Sequence, residues 1–366
     1  MTGIPLAVSQ QASITLQSVL LGGWHALIDY IWHHTFTCLV PAFFIAGAIS
    51  TFISKDAVMK YFGPQANKVL SYSVASISGA ILAVCSCTVL PLFGGIYRRG
   101  AGLGPAIAFL YSGPAINVLA IVYTARLLGF QFGLWRTIGA VSFAALIGLA
   151  MAFIFRKEES ERARNAQPAA TAAFAADGGG GSDARRLVFL IDLVAILVTA
   201  TSKLADMYKW PLVGLEIIFV VLMARFWFER AEVRHWLNET WSLAKLITPV
   251  LLVGVFAAGV IGVVLPPQWI ASTVGGNSFL ANLLASVTGA LMYFATLTEV
   301  PILKTLLGLG MGNGPALALL LAGPALSLPS MLAIQRMIGT KKMLTYVSLV
   351  VAFSTLVGMV FGAYAG

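Results

Sequence analysis

The chain contains one block twice. Residues 76–129 align with residues 286–339 at a constant offset of 210 and without a gap. Of the 54 aligned positions 17 are identical, among them Gly79, Thr88, Pro91, Gly100, Gly104, Gly113, Pro114, Arg126 and Gly129. These return as Gly289, Thr298, Pro301, Gly310, Gly314, Gly323, Pro324, Arg336 and Gly339. Most identities are Gly, Pro and Ala in otherwise apolar sequence. A repeated apolar block broken at matching places by Gly and Pro is the pattern of a transporter, whose interrupted helices meet near the bilayer midplane and form the substrate site.

The repeat lies in a chain that is 59% hydrophobic and 10% charged, where a soluble domain carries roughly a quarter charged residues. Its apolar runs are about 20 residues long, enough to span a bilayer. The expected fold is an all-α integral membrane protein. The formal charge of +9 does not indicate nucleic acid, because Lys and Arg gather at the ends of apolar runs as membrane topology requires. No cleavable signal peptide is expected in the first 30 residues, which contain no Lys or Arg. Three cysteines in or beside apolar runs make no disulfide framework.

Four regions follow. Residues 1–155 form the first half, with residues 1–30 as an interfacial helix or loose lead-in. Residues 156–186, RKEESERAR to GGGGSDARR, read as a disordered, charged, low-complexity linker. Residues 187–235 supply two connecting spans, and residues 236–366 the second half. The loop holding Lys55, Lys60 and Lys68 should be cytoplasmic, whereas the matching Pro266–Asn277 loop carries no charge and reads as external. Equivalent loops on opposite sides make the repeat inverted. Residues 69–129 must then cross an odd number of times, so one of their broken runs is a re-entrant hairpin. The spacing leaves open whether it breaks at CSCTVLP (Cys85–Pro91) or at SGPAIN (Ser112–Asn117). The total is about eight spans and two re-entrant segments.

Three elements can carry chemistry. Cys85 and Cys87 flank Ser86 and precede Thr88, and Pro91 removes the backbone hydrogen bond that Cys87 would accept. In an unwound stretch the two thiols can hold one soft ion or metalloid; in a regular helix they point apart and serve as small packing residues. Glu299, preceded by Thr298, occupies the position equivalent to Val89. A carboxylate deep in an apolar run is costly and marks function by default; it suits a proton-coupling group, and its structural alternative is a pair with Lys304. In SGPAIN and AGPALS, Pro114 and Pro324 are expected to open half-helices whose N-termini attract anionic groups, with Asn117 and Ser327 as hydrogen-bond donors to substrate. The Gly100/Gly104 and Gly310/Gly314 spacings read as turns rather than as a dimerisation face. Asp192 and Glu216 read as snorkelling or paired groups near helix ends, and His25, His33 and His34 as interfacial. No nucleotide-binding or catalytic-triad motif occurs, so transport energy must come from an ion gradient or the substrate's own gradient.

The stretch VCSCTVLPLFGGIYRRGAGLGPAIAFLYSGPAINVLAI resembles the signature block of the YraQ-type predicted permeases, a family that includes the ArsP-like organoarsenical permeases. The second block, Glu299-Val300-Pro301 with Gly314-Pro315 and Ala322-Gly323-Pro324-Ala325, is similar to the family's second half. The resemblance implies a bacterial inner-membrane permease of about eight spans. Its ArsP-like branch implies export of trivalent methylated or aromatic arsenicals.

The leading expectation is efflux of a soft, thiol-seeking metalloid such as methylarsenite, bound by Cys85 and Cys87 and coupled to a proton through Glu299. A permease for a small anion or sulfur compound and a membrane thiol–disulfide redox protein are the alternatives. No enzyme activity and no cofactor are expected. The partners are the bilayer and a small-molecule or metalloid substrate, with no nucleic acid; self-association into a homo-oligomer stays open.

Overall fold

The computed structural model describes residues 16–32, 35, 39–52, 67–82, 86–116, 118–162, 183–202, 205–264, 273–292 and 299–365. Among the described residues the protein is all-α, without a strand. The first half holds α1 (Leu16–Tyr30), α2 (Val40–Phe52), α3 (Lys68–Leu82), α4 (Ser86–Arg98), α5 (Leu103–Ala115), α6 (Val118–Leu127) and α7 (Phe130–Ile154). Two helices, α8 (Asp183–Thr201) and α9 (Asp206–Phe226), connect the halves. The second half holds α10 (Arg230–Val264), α11 (Phe279–Leu291), α12 (Glu299–Gly308), α13 (Asn313–Ala322), α14 (Leu328–Ile338) and α15 (Thr340–Ala365). Four of the described helices, α7, α9, α10 and α15, are individually long and apolar enough to cross a membrane.

The repeat is visible in the backbone. Helices α5, α6 and α7 begin at Leu103, Val118 and Phe130, and α13, α14 and α15 at Asn313, Leu328 and Thr340, each 210 residues on. Gly100 and Gly129 have φ of 100° and 107°, and their equivalents Gly310 and Gly339 have 104° and 88°. Only glycine adopts that region without strain, which is why these turns keep it in both copies. The tightest crossing is also duplicated. A Cβ on Gly104 would lie 2.8 Å from the Gly148 carbonyl oxygen, and one on Gly314 would lie 2.7 Å from that of Gly358. Gly104 and Gly314 thus serve close packing within each copy, while Gly100 and Gly310 are the turns the sequence indicated.

Two faces bound the molecule. On the first, Arg98 at the end of α4 pairs with Glu239 (3.4 Å), and Arg99 donates to the Thr51 carbonyl at the end of α2. Lys342 at the start of α15 pairs with Glu159 beyond the end of α7 (2.8 Å), and Arg186 in α8 pairs with Glu232 in α10 (3.3 Å). On the second, the Asn277 side-chain amide donates to Met359 (2.9 Å), Asn313 to Ala365 (3.1 Å) and the Gly312 amide to Val274 (3.1 Å). Helix α7 therefore ends on the ionic face where its equivalent α15 begins. Likewise α5 begins there, after Arg99, whereas α13 begins on the other face. Equivalent helices run in opposite directions, so the repeat is inverted.

The same contacts decide which run is re-entrant. Tyr72 near the start of α3 packs against Gly104 and Gly148 in the ionic half, and α4 ends on the ionic face. Helices α3 and α4 thus enter from and return to one face, and the hairpin turns beside CSCTVLP. Helices α5 and α6, bent by 45°, cross together as one broken span. In the inverted copy, α11 and α12 form the hairpin from the other face and α13–α14 cross. Helix α10 runs along α2 near Gly47 and Thr240, then along α1 near Gly22, Gly23 and Gly259. Of the two expectations for residues 1–30, an interfacial helix or a loose lead-in, residues 16–30 form a helix, and it packs along α10 because Gly22, Gly23 and Gly259 let the backbones approach.

The linker starts later than its composition indicated. Residues 156–162 continue helically past α7, and α8 begins at Asp183. The Glu158, Glu159 and Arg162 charges there are held by Lys341, Lys342 and the Tyr97 ring and carbonyl, which gives this charged segment tertiary partners. Residues 163–182 lie outside the described residues.

Candidate translocation site at the hairpin tips

Glu299 is the first residue of α12 and is 1% exposed. Nine residues of helix separate it from Gly308 near the second face, about 14 Å of depth, close to half of a hydrocarbon core of about 30 Å. A helix N-terminus favours negative charge there. Its partner is not Lys304, which is exposed, but Arg136 on α7, which is fully buried with Nη2 3.6 Å from Oε2 of Glu299. Arg136 Nη1 donates to Thr124 Oγ1 (2.9 Å), and that hydroxyl donates to the Ala120 carbonyl (2.6 Å). One side of the guanidinium is thereby anchored on α6. Among the described residues Nε and Nη2 of Arg136 and both carboxylate oxygens of Glu299 have no hydrogen-bond partner. Attraction across 3.6 Å holds the pair without satisfying its hydrogen-bonding capacity, an uncommon state for buried polar groups.

Two tyrosines complete the surroundings. Tyr111 is fully buried on α5 and its hydroxyl donates to the Leu321 carbonyl (3.2 Å). Leu321 is the repeat equivalent of Tyr111, so the two copies meet at this bond. Tyr111 lies within electrostatic range of Arg136, Glu299 and Tyr346. Tyr346 is itself the position equivalent to Arg136.

Cys85 lies outside the described residues; Ser86 and Cys87 begin α4, and the helix continues through Pro91. Thr88 is 1% exposed and Val89 is 2% exposed. Ten residues separate Thr88 from Arg98 on the ionic face, about 15 Å of depth, so both hairpins reach a similar level from opposite sides.

The Gly-Pro elements act differently from the expectation. Pro114 is in the last turn of α5, and Pro324 follows the end of α13; neither opens a half-helix. The new helices begin later, at Val118 and Leu328. Ser327 is the N-cap of α14, its Oγ accepting from the Ser330 amide (3.3 Å) and donating to Ser330 Oγ (2.7 Å). This is the ordinary use of a serine before a helix. Asn117 and Thr298 lie outside the described residues.

Arg136 is a functional candidate that the sequence pattern does not announce. It stands at the edge of an apolar run and passes for an end charge, yet its side chain is fully buried. An arginine in a run whose repeat equivalent is the uncharged Tyr346 is the available signal. Asp192 and Glu216 were expected near helix ends but sit in the middle of α8 and α9, within electrostatic range of each other, with Thr199 donating to Glu216 (2.9 Å). His25 is exposed, as an interfacial residue would be, and Cys38, His33 and His34 lie outside the described residues.

Comparison with known proteins bears on this architecture. Residues 20–363 match the model of the ArsP_1 family, described as a predicted permease. The chain belongs to this permease family. It is 47% identical to UPF0718 protein MJ0584 of Methanocaldococcus jannaschii over 351 residues, covering 92% of this chain and 94% of that protein. It is 23% identical to UPF0718 protein YraQ of Escherichia coli over 339 residues, covering 92% and 80%. No solved structure matches. The permease is thus a multi-pass membrane protein of a transport family rather than of an enzyme family.

Proposed function

We propose that this permease moves its cargo between the tips of two opposed hairpins, with Cys85 and Cys87 of one tip as ligands and Glu299 of the other as the proton-coupling group. The observation that carries the reading is the buried Glu299–Arg136 pair at the start of α12. A charge pair in such surroundings is costly to build and marks an ion or substrate pathway. The first copy of the repeat builds the same elements without a charge pair, so the fold itself does not demand one.

The cargo we infer is a soft, thiol-seeking metalloid such as methylarsenite, exported from the cell. Two weak, exchangeable thiol ligands permit release as well as capture. Arg98, Arg99, Arg162, Arg186, Lys341 and Lys342 crowd the ionic face, which makes that face cytoplasmic. In a bacterial inner membrane the first hairpin then opens inward and the second outward. Thr88, Pro114, Asn117, Thr298, Pro324 and Ser327 would shape the passage between the tips.

Methylarsenite accumulation in everted membrane vesicles tests this. The wild type should accumulate it, Cys85→Ser/Cys87→Ser should not, and Glu299→Gln should lose the response to an imposed pH gradient. Uptake no greater than in vesicles lacking the protein would remove the metalloid reading.

A further inference from the structure

The Arg136–Glu299 pair has more hydrogen-bonding capacity than its surroundings use, and the unused part has a definite shape. Nη1 of Arg136 is committed to Thr124, which itself is bonded to the Ala120 carbonyl. The remaining Nε and Nη2 donors form one edge of the guanidinium, the edge that grips a carboxylate or another oxyanion through two parallel bonds. Both donors are buried without a hydrogen-bond partner among the described residues, and so are both oxygens of Glu299. The carboxylate stands against this edge at 3.6 Å without forming the bidentate bond that two such groups make when nothing else is required of them.

We propose that the Nε/Nη2 edge of Arg136 is the binding site for an oxyanionic group of the cargo, and that the Glu299 carboxylate is its internal stand-in. The proposal rests on the permease reading above and adds a chemical class to it: a solute with a soft centre for thiols and an anionic oxygen for the guanidinium. A proton from water joins a Glu299 oxygen, the neutral carboxyl no longer holds the guanidinium, and one oxyanion takes the edge. Before and after, the site contains one positive and one negative charge. No intermediate with a lone buried charge is needed, a state that apolar surroundings penalise heavily. Proton and oxyanion are therefore bound together, so the permease carries the parts of a neutral acid, and its transport responds to the pH gradient as well as to the gradient of cargo.

Among the described residues the other groups around the pair do not supply a competing charge. Tyr111 from α5 and Tyr346 from α15 are the described titratable neighbours within range, and their hydroxyls are bonded to the Leu321 and Ala325 carbonyls. Lys304 on α12 and Arg126 on α6 are exposed. In the inverted copy the positions of Glu299, Arg136 and Thr124 are Val89, Tyr346 and Ile334, all buried. The oxyanion site is thus built once, on one side of the pseudo-twofold axis.

Thermal unfolding of the purified full chain tests the assignment, with formate as probe and chloride at equal ionic strength as control. In Glu299→Gln formate should raise the melting temperature by about 2 °C at ten times its Kd. In the wild type the formate-specific rise should be present at acidic pH and fall away as the pH is raised into the alkaline range. Arg136→Gln/Glu299→Gln should show none at either pH. A formate effect equal in all three proteins, or absent from Glu299→Gln and from the acidified wild type, would overturn the proposal. If the variants fail to fold, the two wild-type conditions decide it alone. Formate binding without methylarsenite transport would remove the metalloid cargo and leave this site standing.

Discussion

The two hairpins are the same device with different chemistry at the tip. Helices α3–α4 and α11–α12 are related by the 210-residue offset and enter from opposite faces. The first tip offers Cys85, Ser86, Cys87 and Thr88; the second has Ala295, Thr296, Leu297 and Thr298 at those places. One position later the second tip carries Glu299, paired with Arg136, where the first has Val89. Glycine crossings, turn geometry and helix starts survived the divergence of the copies, while the residues at positions 85–89 and 295–299 did not, Thr88/Thr298 apart. Backbone features are shared because both copies must pack alike. Side chains at the tips are free to differ, and of these aligned positions only Glu299 in the second copy carries a charge.

The largest expected effect comes from breaking the charged side of that comparison. Arg136→Leu leaves a buried carboxylate without a counter-ion and should cost about 3–5 kcal/mol of stability. Arg136→Leu/Glu299→Leu, which gives both copies an uncharged site, should recover most of it. Unfolding of the purified proteins measures the difference, and a single variant as stable as the double would show that the pair is not coupled. A smaller effect tests the shared side. Gly148→Ala and Gly358→Ala each bring a methyl against a facing carbonyl, at 2.7 and 2.8 Å. Each should cost roughly 1–3 kcal/mol, and by similar amounts if the crossings are equivalent. The smallest concerns a cap. Ser327→Ala should cost about 1 kcal/mol, and Ser327→Asn, which copies its equivalent Asn117, should cost less.

Much of the fold is legible in the sequence. The offset, the uncharged loop and the basic ends imply the inversion, because lipid imposes length and charge rules that sequence reports directly. The location of the re-entrant turn is not legible there, since CSCTVLP and SGPAIN break a helix equally well. Contacts between Tyr72 and Gly104, distant in sequence, decide it. Glu299 stands out because it interrupts an apolar run. Arg136 does not, because an arginine near the end of a run usually reaches water, and only tertiary packing shows that this one is enclosed. The linker illustrates the reverse: Glu158, Glu159 and Arg162 look like solvated charges, and their order comes from Lys341, Lys342 and Tyr97 in distant segments.

The most direct test of the account is methylarsenite uptake driven by an imposed pH gradient, in everted vesicles containing either the wild type or Arg136→Leu/Glu299→Leu at equal, folded amounts. The account predicts gradient-responsive uptake in the wild type and none in the double variant, although that variant keeps its stability. Unchanged gradient-responsive uptake in the double variant would contradict it.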